Sequence, residues 1–464
     1  MLFNSFEFLL FFLPAVLIVY YLLVRVGKNM MARYWLLAAS LFFYSWWNPI
    51  YLPLILGSVS FNYFMGTTIN SSAGPARWRL LVVGVTANLA LLGYFKYFNF
   101  FVENLSGLLQ ADIPAFNIVL PLAISFFTFQ QIAYLVDSYR GETNGYSFFN
   151  YILFVTFFPH LIAGPIVHHR SIIPQFIDPA NFRFDSFNFS KGLYIFLLGL
   201  AKKVILADTF AVLANSGYGR TADLSFIDSW ITSLAYSFQL YFDFSGYSDM
   251  TIGIALLFNI HIAINFNSPY RAVSIQDFWR RWHITLSNFL RDYLYIPLGG
   301  NRLGEFNTLR NLMITFILGG VWHGAGWTFV FWGFLHGFYL VVHRIYQKAG
   351  MKMSNGLGWL LTFLCVNFAW VFFRSPTWRD ATNMIESMFG FKGFLPLASQ
   401  VFTDISLLPV ILVGIAALFY RNPPELAEDF RTDKKHLVVM VALGFACMLF
   451  MNSVTANDFL YFDF

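Results

Sequence analysis

Residues 314–342 read ITFILGGVWHGAGWTFVFWGFLHGFYLVV, an almost wholly apolar stretch that is long enough to cross a lipid bilayer. The stretch contains two histidines, His323 and His336, thirteen positions apart. An ionisable side chain inside a membrane span is costly, so each histidine is a functional candidate. The alternative is a core histidine that hydrogen-bonds to a neighbouring helix. The spacing alone leaves both interpretations open.

The composition of the whole chain is also apolar. Of the 464 residues, 58% are hydrophobic and 11% are charged, whereas soluble domains carry roughly 25% charged residues. Apolar runs reach the ~20 residues of a spanning helix, which favours helices over the weak alternating segments of outer-membrane barrels. The sequence therefore predicts an all-α polytopic membrane protein. Its net charge of +5 comes from scattered basic residues, which argues against a nucleic-acid partner.

Twelve apolar runs predict about 10–12 transmembrane helices, and some of these runs are irregular. The run 192–213 contains Lys202 and Lys203, and the run 148–166 is interrupted at Pro159. Non-helical backbone at membrane depth survives only where it is buried in protein or lines a wet cavity. We therefore expect re-entrant segments around an internal chamber. The first run is interpreted as a retained span and not as a signal peptide.

Basic residues predict the topology. Arginines and lysines cluster at residues 25–33, after the first run, and at residues 77–79, before the fourth. The positive-inside rule places both loops in the cytoplasm and the N-terminus outside. The block Asn265–Arg310, which holds six arginines, is placed on the cytoplasmic side as well.

The segment QDFWRRWH at residues 276–283 is predicted to be helical. Asp277 is spaced to pair with Arg280 and Arg281, and Trp279 and His283 would share a helix face. Tryptophan and arginine suit a membrane interface, and the segment by itself favours that interpretation. The functional alternative is that the arginines bind the phosphates of a nucleotide-bearing thioester.

The segment YFDFSGYSD at residues 241–249 places two carboxylates, Asp243 and Asp249, within an apolar run. They are either members of a buried hydrogen-bonding network or a general acid and base. Six helical residues turn through about 240°, so the two carboxylates do not share a face. This geometry favours a structural role for at least one of them.

Histidine spacing argues against a metal site. His336 and His343 share a helix face but lie roughly 10 Å apart. The adjacent His168 and His169 are expected to diverge, and no H-x-x-x-H pattern occurs. A G-x-S-x-G nucleophile elbow is also missing. If one helix carried both His323 and His336, ~20 Å would separate them, so their roles would differ.

Five stretches together resemble the membrane-bound O-acyltransferase (MBOAT) family. In chain order these stretches are 158–166 (FPHLIAGPI), 241–249, 277–283, 291–302 and 319–324. The chain looks most similar to the bacterial branch that holds the alginate O-acetylation membrane subunit, its cellulose-acetylating relatives and the teichoic-acid D-alanylation membrane protein. The resemblance implies a single domain over 1–464, a ring of helices around a transmembrane tunnel, a catalytic core at about 115–345 and C-terminal helices over 356–464.

The resemblance also implies site residues. His323 corresponds to the catalytic histidine and His283 to a second functional one, nearer the cytoplasmic mouth. The donor-binding residues that we expect are Trp279, Arg280, Arg281 and Arg302. The tunnel-lining residues that we expect are Asp243, Ser245, Asn301 and Trp322. His323 should lie at the narrow part of the tunnel with His283 on its donor side, while His336 and His343 pack between helices.

The implied reaction carries an acetyl group across the bacterial inner membrane. We expect acetyl-CoA as the cytoplasmic donor, without a bound cofactor or metal. The acceptor is an exported polysaccharide of alginate or cellulose type, reached directly or through a periplasmic SGNH-type acetyltransferase in an exopolysaccharide synthase complex. A neutral imidazole, with an ordinary pKa near 6.5, can deprotonate the attacking hydroxyl. A transporter or flippase and a non-catalytic scaffold of an export complex are the competing interpretations.

Overall fold

The computed structural model describes residues 1–143, 145–394, 408–453 and 459–460, which form helices and turns and no strand. The all-α prediction is therefore confirmed. Five helical segments in the described chain are long and apolar enough to cross a membrane: Glu7–Arg25, Pro49–Ser71, Gly74–Leu109, Asn355–Arg374 and Lys434–Asn452. The larger count of 10–12 spans stays a prediction, because other long helices carry many polar side chains.

The described residues form two compact units, of which the first contains Met1–Phe196 and Met250–Ala263. Its helices are α1 (Leu13–Arg25), α2 (Asn29–Ser45), α3 (Leu52–Ser71), α4 (Gly74–Leu92), α5 (Phe98–Leu109), α6 (Ile124–Arg140), α7 (Phe148–Thr156), α8 (Phe158–Leu161), α9 (His169–Ile177) and most of α10 (Ser186–Ala201). Helix α6 packs against α3 and α4. The side-chain amides of Asn62 and Asn88 join α3 to α4 by reciprocal hydrogen bonds of 3.1 and 2.6 Å. Such polar pairs hold membrane helices together where no hydrophobic drive between them exists.

The interruption predicted at Pro159 is confirmed. Helix α7 ends at Thr156, and the freed backbone groups find side-chain partners. Ser40 accepts a hydrogen bond from the backbone N–H of Phe158 at 3.1 Å, and Thr251 donates to the carbonyl of Pro159 at 2.9 Å. Satisfied backbone groups of this kind are what allow a helix to break at membrane depth.

The second unit contains Leu197–Asp249 and the described part of Ile264–Phe464. Its helices, besides the end of α10, are α11 (Asp208–Tyr218), most of α12 (Phe226–Leu256), α13 (Ile275–Arg281), α14 (Ile284–Leu290), α15 (Glu305–His323), α16 (Trp327–Lys348), α17 (Asn355–Arg374), α18 (Trp378–Met388), α19 (Leu408–Phe419), α20 (Pro423–Leu426) and α21 (Lys434–Ser453). The described units do not test the predicted single domain over 1–464.

The apolar run 308–342 forms two helices and not one. Helix α15 ends at His323, and α16 begins at Trp327 and packs alongside it. Glycines allow this close approach: a Cβ atom on Gly333 would lie 2.4 Å from the carbonyl oxygen of Phe316. The premise of a single helix carrying His323 and His336 is therefore wrong.

The segment 276–283 is helical only as far as Arg281. His283 adopts the left-handed conformation with φ of +44° and opens α14, so the prediction that Trp279 and His283 share a helix face is wrong. Asn265 explains the local turn, because its Oδ1 accepts hydrogen bonds from the backbone N–H and the hydroxyl of Thr285, at 3.2 and 2.9 Å. The predicted pairing of Asp277 with Arg281 is present at 2.8 Å.

The two lysines within the run 192–213 form ion pairs with Asp243 and Asp249, the two carboxylates of the segment 241–249. Lys202 Nζ lies 2.7 Å from Asp249 Oδ2. Lys203 Nζ lies 2.7 Å from Asp243 Oδ1 and 2.8 Å from Asp208 Oδ1. All five side chains are largely buried. Both carboxylates of the segment 241–249 are thus held in buried ion pairs, as the structural interpretation expects.

Candidate functional site

A cavity of about 520 Å³ lies within the second unit, between α13, α14, α15, α16 and the turns at residues 291–301. Helix α15 lines it with one face, through side chains spaced three or four positions apart. These residues are Leu312, Thr315, Phe316, Gly319 and His323. Helix α16 contributes Trp332, Leu340, His343, Arg344 and Gln347. The cavity therefore follows the groove between the two antiparallel helices.

The two ends of the cavity differ in polarity. Arg344 lines one end and pairs with Glu305, the first residue of α15, at 2.6 Å. His323 is the last residue of α15, and 18 residues of helix separate it from Glu305 by about 27 Å. The end near Arg344 therefore carries an ion pair, and His323 lies at the opposite end of α15.

Aromatic rings surround the imidazole of His323. The rings of Trp322, Trp332 and Phe373 lie 4.9, 5.0 and 5.2 Å from it, centroid to centroid. His323 is only 4% exposed, yet it lines the cavity. A base at the dry end of a cavity can take a proton from a bound hydroxyl while bulk water is kept away.

His283 is fully buried and is not among the residues that line this cavity. Its Nδ1 lies 3.2 Å from Asn265 Oδ1. The indole of Trp322 contacts both candidate histidines, at 6.4 Å from the His283 ring and 4.9 Å from the His323 ring. The sequence predicts that His283 lines the same tunnel as His323, but His283 does not line this cavity. Its catalytic role stays a prediction.

The other two histidines differ from each other. His336 is fully buried, and its Nδ1 accepts a hydrogen bond from Trp279 Nε1 at 3.3 Å. It packs between helices, as the sequence predicts. His343 instead lines the cavity, so the prediction that it also packs between helices is wrong. The His323 and His336 rings both contact Trp332, at 5.0 and 4.9 Å.

The expected donor-binding arginines separate into two groups. Arg280 is exposed, lines the cavity and has no side-chain hydrogen bond or ion pair within the described residues. Arg281 is held by Asp277, and neither Arg281 nor Arg302 is among the lining residues. Of the other expected residues, Trp279 and Asn301 line the cavity.

Arginines 291 and 344 also line the cavity. Arg291 belongs to the stretch 291–302 that resembles the family but was not among the expected donor-binding residues, and Arg344 was not expected at the site. The sequence signal that could have identified Arg344 is its position just after the long apolar run, where a membrane helix is expected to reach the interface. The cavity thus has three arginines on its wall.

Three of the four residues that are expected to line a tunnel do not line this cavity: Asp243, Ser245 and Trp322. Asp243 pairs with Lys203, and Ser245 accepts a hydrogen bond from Lys202 Nζ at 3.2 Å. Trp322 packs against the histidine rings. All three side chains are buried. Asp243 and Ser245 lie in the ion-pair network of α12, and Trp322 packs against other aromatic rings.

The first unit contains a cluster of two histidines and a carboxylate, although the histidine spacing argued against such a group. Nε2 of His168 and Nε2 of His169 lie 2.8 and 3.0 Å from the same oxygen, Oδ2 of Asp137. The prediction that these adjacent imidazoles diverge is wrong. His168 precedes α9 with extended backbone and His169 is its first residue, so the change in backbone direction turns both rings toward α6.

Comparison with known proteins identifies the family. A sequence model of the membrane-bound O-acyltransferase (MBOAT) family matches residues 122–375. The chain is 44% identical to a peptidoglycan O-acetyltransferase of Helicobacter pylori, over 100% of this chain and 98% of that protein. It is 39% identical to a protein of Pseudomonas putida named "Probable alginate O-acetylase", over 100% of each chain. A teichoic acid D-alanyltransferase of Streptococcus thermophilus is 26% identical over 54% of this chain and 68% of that protein.

The chain therefore belongs to the MBOAT family. It is a multi-pass membrane acyltransferase, and this membership favours acyl transfer over the transporter and scaffold alternatives. The family match covers every residue that lines the cavity.

Proposed function

We propose that this protein takes the acetyl group of cytoplasmic acetyl-CoA and passes it through the bacterial inner membrane for O-acetylation of an exported polysaccharide. The observation that carries the proposal is the cavity, which has arginines on its wall and a buried imidazole at the far end of α15. An O-acetyl transfer needs both features, since the donor brings phosphates and the reaction needs a base.

The donor would bind along the groove between α15 and α16. Arg280, Arg291 and Arg344 line it, and guanidinium groups bind phosphates through paired, charge-assisted hydrogen bonds. Arg291 already pairs with Asp292 and Arg344 with Glu305, so Arg280 would be the main phosphate ligand among them. The pantetheine arm of CoA is long and thin, so it would extend from the arginines toward His323. The mainly apolar wall beyond the arginines suits such an arm and leaves room for a short acyl group.

The chemistry follows from the position of His323. The acceptor hydroxyl attacks the thioester carbonyl, a C–O bond forms and the C–S bond breaks. The neutral imidazole takes the hydroxyl proton and returns it to the departing thiolate, so protons balance without an acyl-enzyme. General base catalysis of this kind contributes ~10²–10⁴-fold to a rate.

The names of the relatives bear on the acceptor. The chains that are similar over the full length are named for peptidoglycan and for alginate, and cellulose draws no support from these names. We place peptidoglycan first, because the peptidoglycan O-acetyltransferase is 44% identical over the whole chain. An alginate-type polysaccharide is second. In either case the outer partner would be a periplasmic SGNH-type acetyltransferase or the glycan itself.

Deleting the gene from its host and restoring it should identify the acceptor. We expect base-labile acetate to disappear from one glycan fraction, purified sacculi or exopolysaccharide, and to return with the wild-type chain. The amount of each glycan outside the cell should stay the same. Unchanged acetate in both fractions would contradict the proposed function, and loss of the glycan itself would favour a transporter.

Charge reversal at Arg280 tests the donor site. Since Arg280 lines the cavity without a described side-chain partner, Arg280→Glu should raise the acetyl-CoA concentration needed for half-maximal transfer by roughly tenfold or more, the loss of a charged hydrogen bond. Proteoliposomes with internal donor would measure it. Arg302→Glu is the control, because Arg302 is also exposed but does not line the cavity.

Arg281 separates the two interpretations of the arginine segment. Its guanidinium is held by Asp277, so Arg281→Glu should change donor dependence less than Arg280→Glu does. Equal effects of all three reversals would indicate a general surface charge effect, and no effect of Arg280→Glu would favour the interface role of the segment.

A further inference from the structure

The Asp137, His168 and His169 cluster joins the last turn of α6 to the start of α9. Asp137 and His169 are each 1% exposed, and the His168 side chain is 36% exposed. The three potential ligand atoms, Oδ2 and the two Nε2 atoms, lie within 4.8 Å of one another. None of the three residues lines the cavity of the second unit, so the proposed acyl transfer does not use them.

The spacing of these atoms suits a metal ion. In a tetrahedral site, bonds of about 2.0–2.2 Å from the cation to oxygen and nitrogen set neighbouring ligand atoms about 3.3–3.6 Å apart. The two Nε2 atoms lie 2.8 and 3.0 Å from Oδ2 of Asp137. Small side-chain shifts would place a cation between the three atoms.

Outer contacts orient two of the three groups. The phenol of Tyr146 hydrogen-bonds to Nδ1 of His169 at 3.1 Å, which is the kind of second contact that fixes the tautomer of a ligating histidine. Arg140 donates to Oδ1 of Asp137 at 3.3 Å and leaves Oδ2 facing the imidazoles. The backbone N–H of Arg170 donates to Nδ1 of His168 at 3.3 Å. If Nε2 of His168 bound a metal ion, the proton of the neutral ring would move to Nδ1. Nδ1 could then no longer accept the hydrogen bond from Arg170.

We propose that Asp137, His168 and His169 bind a divalent transition-metal ion of the zinc class, which clips α6 to α9. Two imidazoles and one carboxylate without a thiolate are borderline donors that suit Zn²⁺ better than Mg²⁺ or Ca²⁺. His168 leaves the ion open to solvent on one side. The ion would cross-link two elements about 30 residues apart, and so it would stabilise this part of the first unit.

Zinc binding to the purified full-length protein tests this site. The protein would carry an affinity tag free of histidine, would be stripped with EDTA in detergent and would be dialysed against Zn²⁺, with metal content read by mass spectrometry. We expect one zinc ion per wild-type chain, and a melting temperature that rises with Zn²⁺ because the ion binds the folded state. Loss of an outer contact alone costs roughly 10–100-fold in metal affinity, so His168→Ala should lower affinity at least as much.

Substitutions inside and outside the cluster decide whether the zinc ion binds there. His168→Ala should fold, since its side chain is partly exposed, and Asp137→Asn provides a second loss of a ligand. His436→Ala is the matched control, because His436 also pairs with a carboxylate, that of Asp433 at 2.8 Å, but does not belong to the cluster and should not change zinc binding. Absence of bound zinc in the wild type would show a purely hydrogen-bonded cluster and overturn the proposal. Equal affinity in the wild type and in His168→Ala would overturn it too, by placing the ion elsewhere.

Discussion

Replacing His323 by alanine should abolish O-acetylation of the exported glycan while the protein still accumulates in the membrane. His323 alone among the described histidines combines near-complete burial, at 4% exposure, with a place on the cavity wall inside an aromatic enclosure. Removing a general base costs ~10²–10⁴-fold.

The measurement is base-labile acetate on the isolated glycan, with membrane levels of the protein followed in parallel. His336→Gln is the matched comparison, since His336 is also a buried histidine of the same helix pair but does not line the cavity. It should lower the melting temperature in detergent, because its contact with Trp279 is altered, and should leave part of the activity. Wild-type acetate in His323→Ala would remove His323 from the mechanism. A stably folded but inactive His336→Gln would contradict the structural role of His336.

Much of the site followed from local sequence patterns. The histidine in an apolar run, the basic segment near residue 280 and the Gly-Gly-Asn turn at 299–301 are all short-range signals. The first two signals pointed to His323 and Arg280, and the resemblance to the family added Trp279 and Asn301; all four line one cavity. The all-α fold followed from composition, because only helices satisfy their backbone inside a bilayer without closing a barrel.

The remaining features depend on contacts between distant residues. The left-handed turn at His283 is held by Asn265, 18 positions earlier, and no pattern around the arginine segment announces that partner. The division of the run 308–342 depends on glycines that let α15 and α16 touch, which an apolar run cannot reveal. The convergence of His168 and His169 requires Asp137 from another helix. The ring around a transmembrane tunnel stays a prediction.

Breaking the Lys202–Asp249 pair should destabilise the protein strongly. Asp249→Leu leaves the Lys202 ammonium buried with Ser245 as its nearest remaining partner, at 3.2 Å. Removing one partner of a buried pair costs about 3–5 kcal/mol, whereas replacing both by apolar side chains of similar volume is often neutral or stabilising. The double variant Lys202→Met with Asp249→Leu should therefore recover most of the melting temperature that Asp249→Leu loses.

Activity of the double variant decides what the carboxylate does. Asp249 is 5% exposed and does not line the described cavity, and its 2.7 Å contact with Lys202 accounts for its charge. We therefore expect the double variant to acetylate the glycan at close to the wild-type rate per folded molecule. A double variant that is as stable as the wild type but inactive would contradict the structural interpretation. The Lys202–Asp249 pair would then take part in the reaction, because stability would have been restored without its two charged groups.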